Sequence, residues 1–118
     1  MVDKFLFTSQ MKQTFGEIIR TLRTKHGWTL TKLAAQLEMD SANLSKVENG
    51  KREFDQKRLK KLAGAFELDL EKLTEEYLSD RFAKATYAAN SSSNVFRLAE
   101  EKVKYLIQKN SRQGSLKL

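Results

Sequence analysis

Apolar residues recur with a helical period from Phe15 onward. Phe15, Ile18, Ile19, Leu22 and His26 fall on one stripe. The preceding Thr14-Phe15-Gly16-Glu17 reads as a capping box, and Gly27 supplies a left-handed stop. Thr29 caps a second, short helix with Leu30, Leu33, Ala34 and Leu37 on one face. Only Glu38-Met39-Asp40 separates it from a third helix, Ser41 to Glu48, which turns Leu44 and Val47 inward and ends at Asn49-Gly50. A polar loop, Lys51-Arg52-Glu53-Phe54, leads to Asp55, the cap of a fourth helix carrying Leu59, Leu62, Ala63 and Phe66. Asp69 caps a fifth with Leu70, Leu73 and Tyr77, which takes in Phe82 and Ala85 if it continues. Asn90-Ser91-Ser92-Ser93 suits a tight connection. A sixth helix is expected from about Asn94 to Lys109, striped by Val95, Leu98, Ala99, Val103 and Leu106 and widened by Phe96, Tyr105 and Ile107. No stretch alternates as a strand does, so the fold class is all-α.

The second and third helices, with their three-residue break, are the minimum needed to present a helix to the major groove of DNA. Ala34 is small where two helices must cross closely, while Leu30, Leu33, Leu37, Leu44 and Val47 bury the elbow. The outward positions of the third helix stay short and polar: Ser41, Ala42, Asn43, Ser45 and Lys46. Ser and Asn donate or accept at base edges, Lys suits guanine acceptors, and the Ala42 methyl can meet a thymine methyl.

The run LTKLAAQLEMDSANLSKVENGKR resembles the xenobiotic-response-element or lambda-repressor-like family of helix-turn-helix regulators, a group that includes a standard example of such docking. The resemblance runs without a gap from about Phe15 through the fifth helix. It implies a five-helix DNA-binding domain, major-groove binding and a homodimer on a palindrome. By the same resemblance Asp40, Ser41, Ala42 and Lys46 contact bases. Thr29, Lys51 and Arg52 contact phosphates, and Arg23 pairs with Glu48 inside the fold. One position departs from the family: Glu38 stands where Gly is common, and a left-handed Glu costs about 1 kcal/mol.

A domain of this kind can stop near Leu78. The chain therefore divides into an N-terminal arm (1–13), the DNA-binding domain (14–78), a helical extension (79–110) and a flexible tail (111–118). The extension carries surplus apolar surface, and Phe82, Val95, Phe96, Leu98, Val103 and Leu106 are its expected dimer contacts. Small proteins of this design resemble restriction-modification controllers and phage-type repressors. The alternative is an antitoxin-type regulator whose C-terminal helices bind a partner protein.

Composition narrows the chemistry. The 118 residues carry a net charge of +7, which suits a polyanionic partner. With no Cys and one His, a thiolate nucleophile, a disulfide framework and a His-based metal or catalytic site all lack their parts. No enzyme activity, metal, cofactor or small-molecule effector is expected. No membrane span is legible, and a cytoplasmic location is expected. His26 is read as a capping or packing residue, and Trp28 as a core anchor rather than a platform for a flipped base. Gly16 and Gly64 are read as sites of close helix packing. Lys60 and Lys61, and the pairs Glu75-Glu76 and Glu100-Glu101, are read as solvated. The apolar Phe5, Leu6 and Phe7 are open to packing on the core or on a partner.

Overall fold

The computed structural model describes residues 13–90 and 94–113. Among them are six α-helices, one short 3-10 turn and no strand. These are α1 (Phe15–Lys25), α2 (Leu30–Leu37), α3 (Ser41–Glu48), the 3-10 turn Gln56–Arg58, α4 (Leu59–Phe66), α5 (Leu70–Ala88) and α6 (Asn94–Gln113). The chain divides into two compact units between Arg81 and Phe82. The expected arm up to residue 12, with Phe5, Leu6 and Phe7, lies outside the described residues. So do residues 91–93 and residues 114–118 of the expected tail.

In the first unit short polar side chains start the helices. Thr14 Oγ1 accepts from the Glu17 amide at 3.2 Å, and Glu17 Oε1 accepts from the Thr14 amide at 3.0 Å, completing the capping box. Thr29 takes the Lys32 amide at 3.1 Å, Asp40 the Ala42 amide at 3.2 Å, and Asp69 the Glu71 amide at 2.9 Å. Asp55 caps the 3-10 turn by accepting from the Lys57 amide at 3.0 Å. The helix ends are equally regular. Gly27, Glu38, Gly50 and Glu67 all adopt positive φ. After each one, the next amide reaches back to a carbonyl of the last turn: Trp28 to Arg23, Met39 to Ala34, Lys51 to Lys46 and Leu68 to Ala63. Two of these left-handed positions are glutamates; that of Glu67 has no signal in the residue itself.

The caps set α1 to α5 around one core. Ile18, Ile19, Leu22, Leu33, Leu37, Leu44, Leu62 and Leu73 are almost wholly excluded from solvent. At about 25 cal/mol per Å² of apolar surface, such a cluster is the main favourable contribution to folding. Three sequence expectations change here. Phe54, read as part of a polar loop, is buried against Phe15 at a ring separation of 5.7 Å. Its carbonyl accepts from the Tyr77 hydroxyl at 2.6 Å, so the loop is fastened to the middle of α5. Leu70, placed on the inward stripe, is 40% exposed because the first turn of α5 precedes the core contact made by Leu73. The two helical glycines also differ. A Cβ on Gly16 would lie 2.2 Å from the Val47 carbonyl oxygen, so α1 and α3 approach backbone to backbone. A Cβ on Gly64 would meet nothing within 4 Å, so close packing does not explain that glycine.

The second unit holds the end of α5 and all of α6. Phe82 and Phe96 meet edge to face at 5.3 Å. The sixth helix extends past the expected end at Lys109 to Gln113. Arg97 supports its first turns through Asn94 at 2.9 Å and Glu101 at 2.8 Å. Val103, Tyr105 and Ile107 on this helix are each half or more exposed. No helix of the described residues is long and apolar enough to cross a membrane.

Candidate nucleic-acid interface

Helices α2 and α3 pack on each other, and α3 also packs on α1. Ala34 is buried at the elbow with Leu33, Leu37, Leu44 and Val47, while Leu30 is only partly buried against the same core. With Leu44, Val47 and Glu48 turned inward, Ala42 and Lys46 lie exposed on the other side of α3. Ser41, Asn43 and Ser45 are half-buried beside them, small enough to leave the helix backbone close to whatever docks there. Asp40 precedes them at the N-terminus, exposed, with its carboxylate engaged in capping. Thr29 begins α2; its oxygen accepts from the Lys32 amide, which leaves the hydroxyl proton for an external acceptor. Lys51 and Arg52 follow the C-terminus of α3 and are both exposed.

The far end of α3 is held by charge. Glu48 is 3% exposed, the one charged residue in the core of the described chain. Arg23 Nε donates to Glu48 Oε2 at 2.8 Å and Arg23 Nη2 to Oε1 at 3.0 Å, a two-pronged pairing that matches the planar guanidinium to the carboxylate. Arg23 Nη1 also donates to the Trp28 carbonyl at 3.0 Å. Hydrogen bonding to Glu48 raises the Arg23 pKa above its ordinary value, against the opposing effect of burial. Arg20, absent from the sequence reading, adds a longer contact of 3.4 Å to Glu48 and a hydrogen bond to the Asn49 side chain. Its place at i−3 from Arg23 on α1 was a signal that could have found it.

The other end of the elbow is held by Arg58. Its Nε donates to the Leu37 carbonyl at 3.0 Å and its Nη2 to the Glu38 carbonyl at 3.0 Å. Asp55 fixes the third edge of the same guanidinium at 2.8 Å. Arg58 is not singled out in the sequence pattern. The Asp55-to-Arg58 spacing of three was the only local hint of a specific role.

Trp28 packs its ring 4.9 Å from that of Phe66, with His26 4.7 Å from the same phenylalanine. Lys32 Nζ lies 4.5 Å from the Trp28 ring centre. His26 Nδ1 lies 2.8 Å from the Leu22 carbonyl, so this histidine closes the end of α1. A cleft of about 370 Å³ runs between the start of α3 and the loop beyond it, with Asp40, Asn43, Arg52 and Arg58 among its walls. Among the described residues no three His, Cys, Asp or Glu side chains are grouped to hold a metal ion.

The positive charge is unevenly divided. Residues 82–118 hold seven Lys and Arg against two Glu, a net +5 of the chain's +7. The unit with the helix-turn-helix holds fifteen Lys and Arg against thirteen Asp and Glu, a net +2, and Lys46, Lys51 and Arg52 are three of its exposed cations.

A helix-turn-helix family model matches residues 19–73, from the middle of α1 to the buried Leu73 of α5. No curated protein and no solved structure matches the chain. The matched segment takes in Arg23, Thr29, the whole elbow, Lys51, Arg52 and Arg58. Over residues 19–73 the chain is similar to the helix-turn-helix family, in agreement with the lambda-repressor-like resemblance of its sequence.

Proposed function

We propose that the protein is a sequence-specific, double-stranded DNA-binding transcription regulator that acts as a homodimer on a palindromic operator. The observation that carries this reading is the outer face of α3, short and polar, beside the start of α2 and the cationic loop after α3. In this reading Asp40, Ser41, Ala42, Asn43, Ser45 and Lys46 face base edges in the major groove. Thr29, Lys51 and Arg52 take phosphates and fix the register. The Arg23–Glu48 pair holds the back of the reading helix. A bacterial or phage-type repressor working in the cytoplasm is the biological setting that fits best.

Dimerisation is assigned to the second unit, through Phe82, Val95, Phe96, Leu98, Val103 and Leu106. Two copies must set their reading helices about 34–36 Å apart to meet successive major grooves. Linking two half-sites raises the effective concentration of the second contact. The exposed apolar side chains of α6 also favour a second reading, in which a different protein covers them and the chain is an antitoxin-type regulator.

One experiment tests both parts. DNA affinity should fall by roughly 10³ to 10⁵ between 50 and 200 mM salt if about 6–10 phosphates are engaged per dimer. Val103→Asp combined with Leu106→Lys should give monomers in sedimentation and lose most of the affinity. A salt-insensitive complex would end the DNA reading. A variant that stays dimeric and binds as tightly as the parent would move the interface elsewhere and favour the second reading.

A further inference from the structure

We propose that Arg58 is a positioning residue for DNA reading: a clamp that holds the helix-turn-helix elbow in a left-handed turn built without glycine. The inference rests on the DNA-binding reading of α3 and adds a residue that touches no DNA in it.

The elbow has a local problem. Glu38 sits at φ 55, where a residue with a Cβ is strained relative to glycine. At the C-terminus of α2 the last carbonyls have no partners within the helix. Two of them, those of Leu37 and Glu38, accept from one guanidinium at 3.0 Å each. These are the carbonyls on either side of the strained residue. A charged donor on both strengthens the left-handed conformation, and a cation there also suits the negative end of the α2 dipole. Arg58 is itself aimed from outside. Asp55 accepts from its Nη1 at 2.8 Å and, through its other oxygen, caps the 3-10 turn on which Arg58 rides. The Arg58 side chain is 33% exposed, and three of its five N–H donors are committed to protein acceptors. In this reading its charge serves the turn and not a phosphate, despite its place among exposed lysines.

The consequence for reading is geometric. Glu38, Met39 and Asp40 are all the chain between the two helices, so the dihedral angles of Glu38 set the direction in which α3 leaves α2. A loosened turn leaves the core intact and blurs the placement of Ser41, Ala42 and Asn43 against base edges.

The test uses the full chain with Arg58→Met, which keeps the stem and removes the donors, and the same change combined with Glu38→Gly. The first readout needs no DNA. Amide exchange at Glu38 and Met39, which donate to Ala35 and Ala34, should quicken at least tenfold, with Ile19 and Leu22 unchanged. The second uses a duplex selected by the unaltered protein from a random pool, beside an unrelated duplex. Preference for the selected duplex should fall about tenfold, the discrimination of one base contact, at an unchanged salt slope. Glu38→Gly should restore much of the loss, because glycine needs no clamp. Unchanged exchange at the turn would overturn the clamp. A salt slope lowered by about one for each protomer would also overturn it, by making Arg58 a phosphate ligand. If the unaltered protein selects no sequence, the DNA-reading function fails, while the exchange result still decides the clamp.

Discussion

Replacing Gly16 with alanine tests how tightly α3 is seated on the domain. The added methyl would lie 2.2 Å from the Val47 carbonyl oxygen and 3.1 Å from that of Glu48. Both are backbone atoms of α3, so no side-chain rotation relieves the clash. Ordinary contact requires the helices to separate by roughly 1 Å, given carbon contact distances of about 3.5–4 Å. Overpacking of this kind costs about 1–3 kcal/mol, and a rigid backbone neighbour puts Gly16→Ala at the upper end. The better helix propensity of alanine returns about 0.5–1 kcal/mol, leaving a net loss of about 2 kcal/mol. For a domain of this size that lowers Tm by roughly 8–16 °C. Gly64→Ala is the control. It adds the same methyl to a helix where nothing lies within 4 Å, and should gain about 0.5–1 kcal/mol. Thermal unfolding followed by circular dichroism measures both. If Gly16→Ala is as stable as Gly64→Ala, the backbone contact between α1 and α3 is wrong, and the seat of α3 with it.

Arg23→Ala leaves the buried Glu48 with only the 3.4 Å contact from the half-exposed Arg20, and should cost about 3 kcal/mol in denaturant unfolding. Arg20→Ala should cost under about 1 kcal/mol, and equal losses would refute this division of roles. Glu76 has its pKa raised by burial first and then by Asp80 and Glu75. A carboxyl raised in the fold favours the folded state at low pH, and that contribution is lost as pH rises through the folded value. Glu76→Gln should therefore raise Tm at pH 7, with the gain gone below about pH 4. A gain that persists in acid would assign it to something other than charge. Tyr77→Phe removes the donor to the Phe54 carbonyl and should cost about 1–3 kcal/mol, since that carbonyl is left buried without its partner. A loss under about 0.5 kcal/mol would mean that the loop is held by ring packing alone.

The helices and their starts were legible because each is written locally. Thr14, Thr29, Asp40, Asp55 and Asp69 are short acceptors in front of periodic apolar runs, and each caps as its type suggests. Long-range partners were not legible. Phe54 looks like a loop residue until Phe15 and Tyr77, distant in sequence, are brought beside it. Arg58 reads as one more surface cation because its acceptors are backbone carbonyls some twenty residues away, and carbonyls have no letter in a sequence. The left-handed Glu67 was hidden for a similar reason, since the backbone bond from Leu68 to Ala63 can form after any side chain. At the candidate interface, the residue types of α3 were readable, as was the turn before it. The fact that two glutamates fill left-handed positions was visible only for Glu38, where a family pattern supplied the contrast.

Selection of bound sequences from a pool of random duplex DNA tests the central claim most directly, with Lys46→Ala and Lys51→Ala run beside the unaltered chain. The unaltered protein should enrich a two-fold palindrome with half-sites about one helical turn apart. Lys46→Ala should relax one position in each half-site by about 1–3 kcal/mol. Lys51→Ala should keep the same sequence and bind every duplex more weakly. No enrichment by the unaltered chain, or the same uniform loss from both substitutions, would contradict the assignment of α3 as the reading helix.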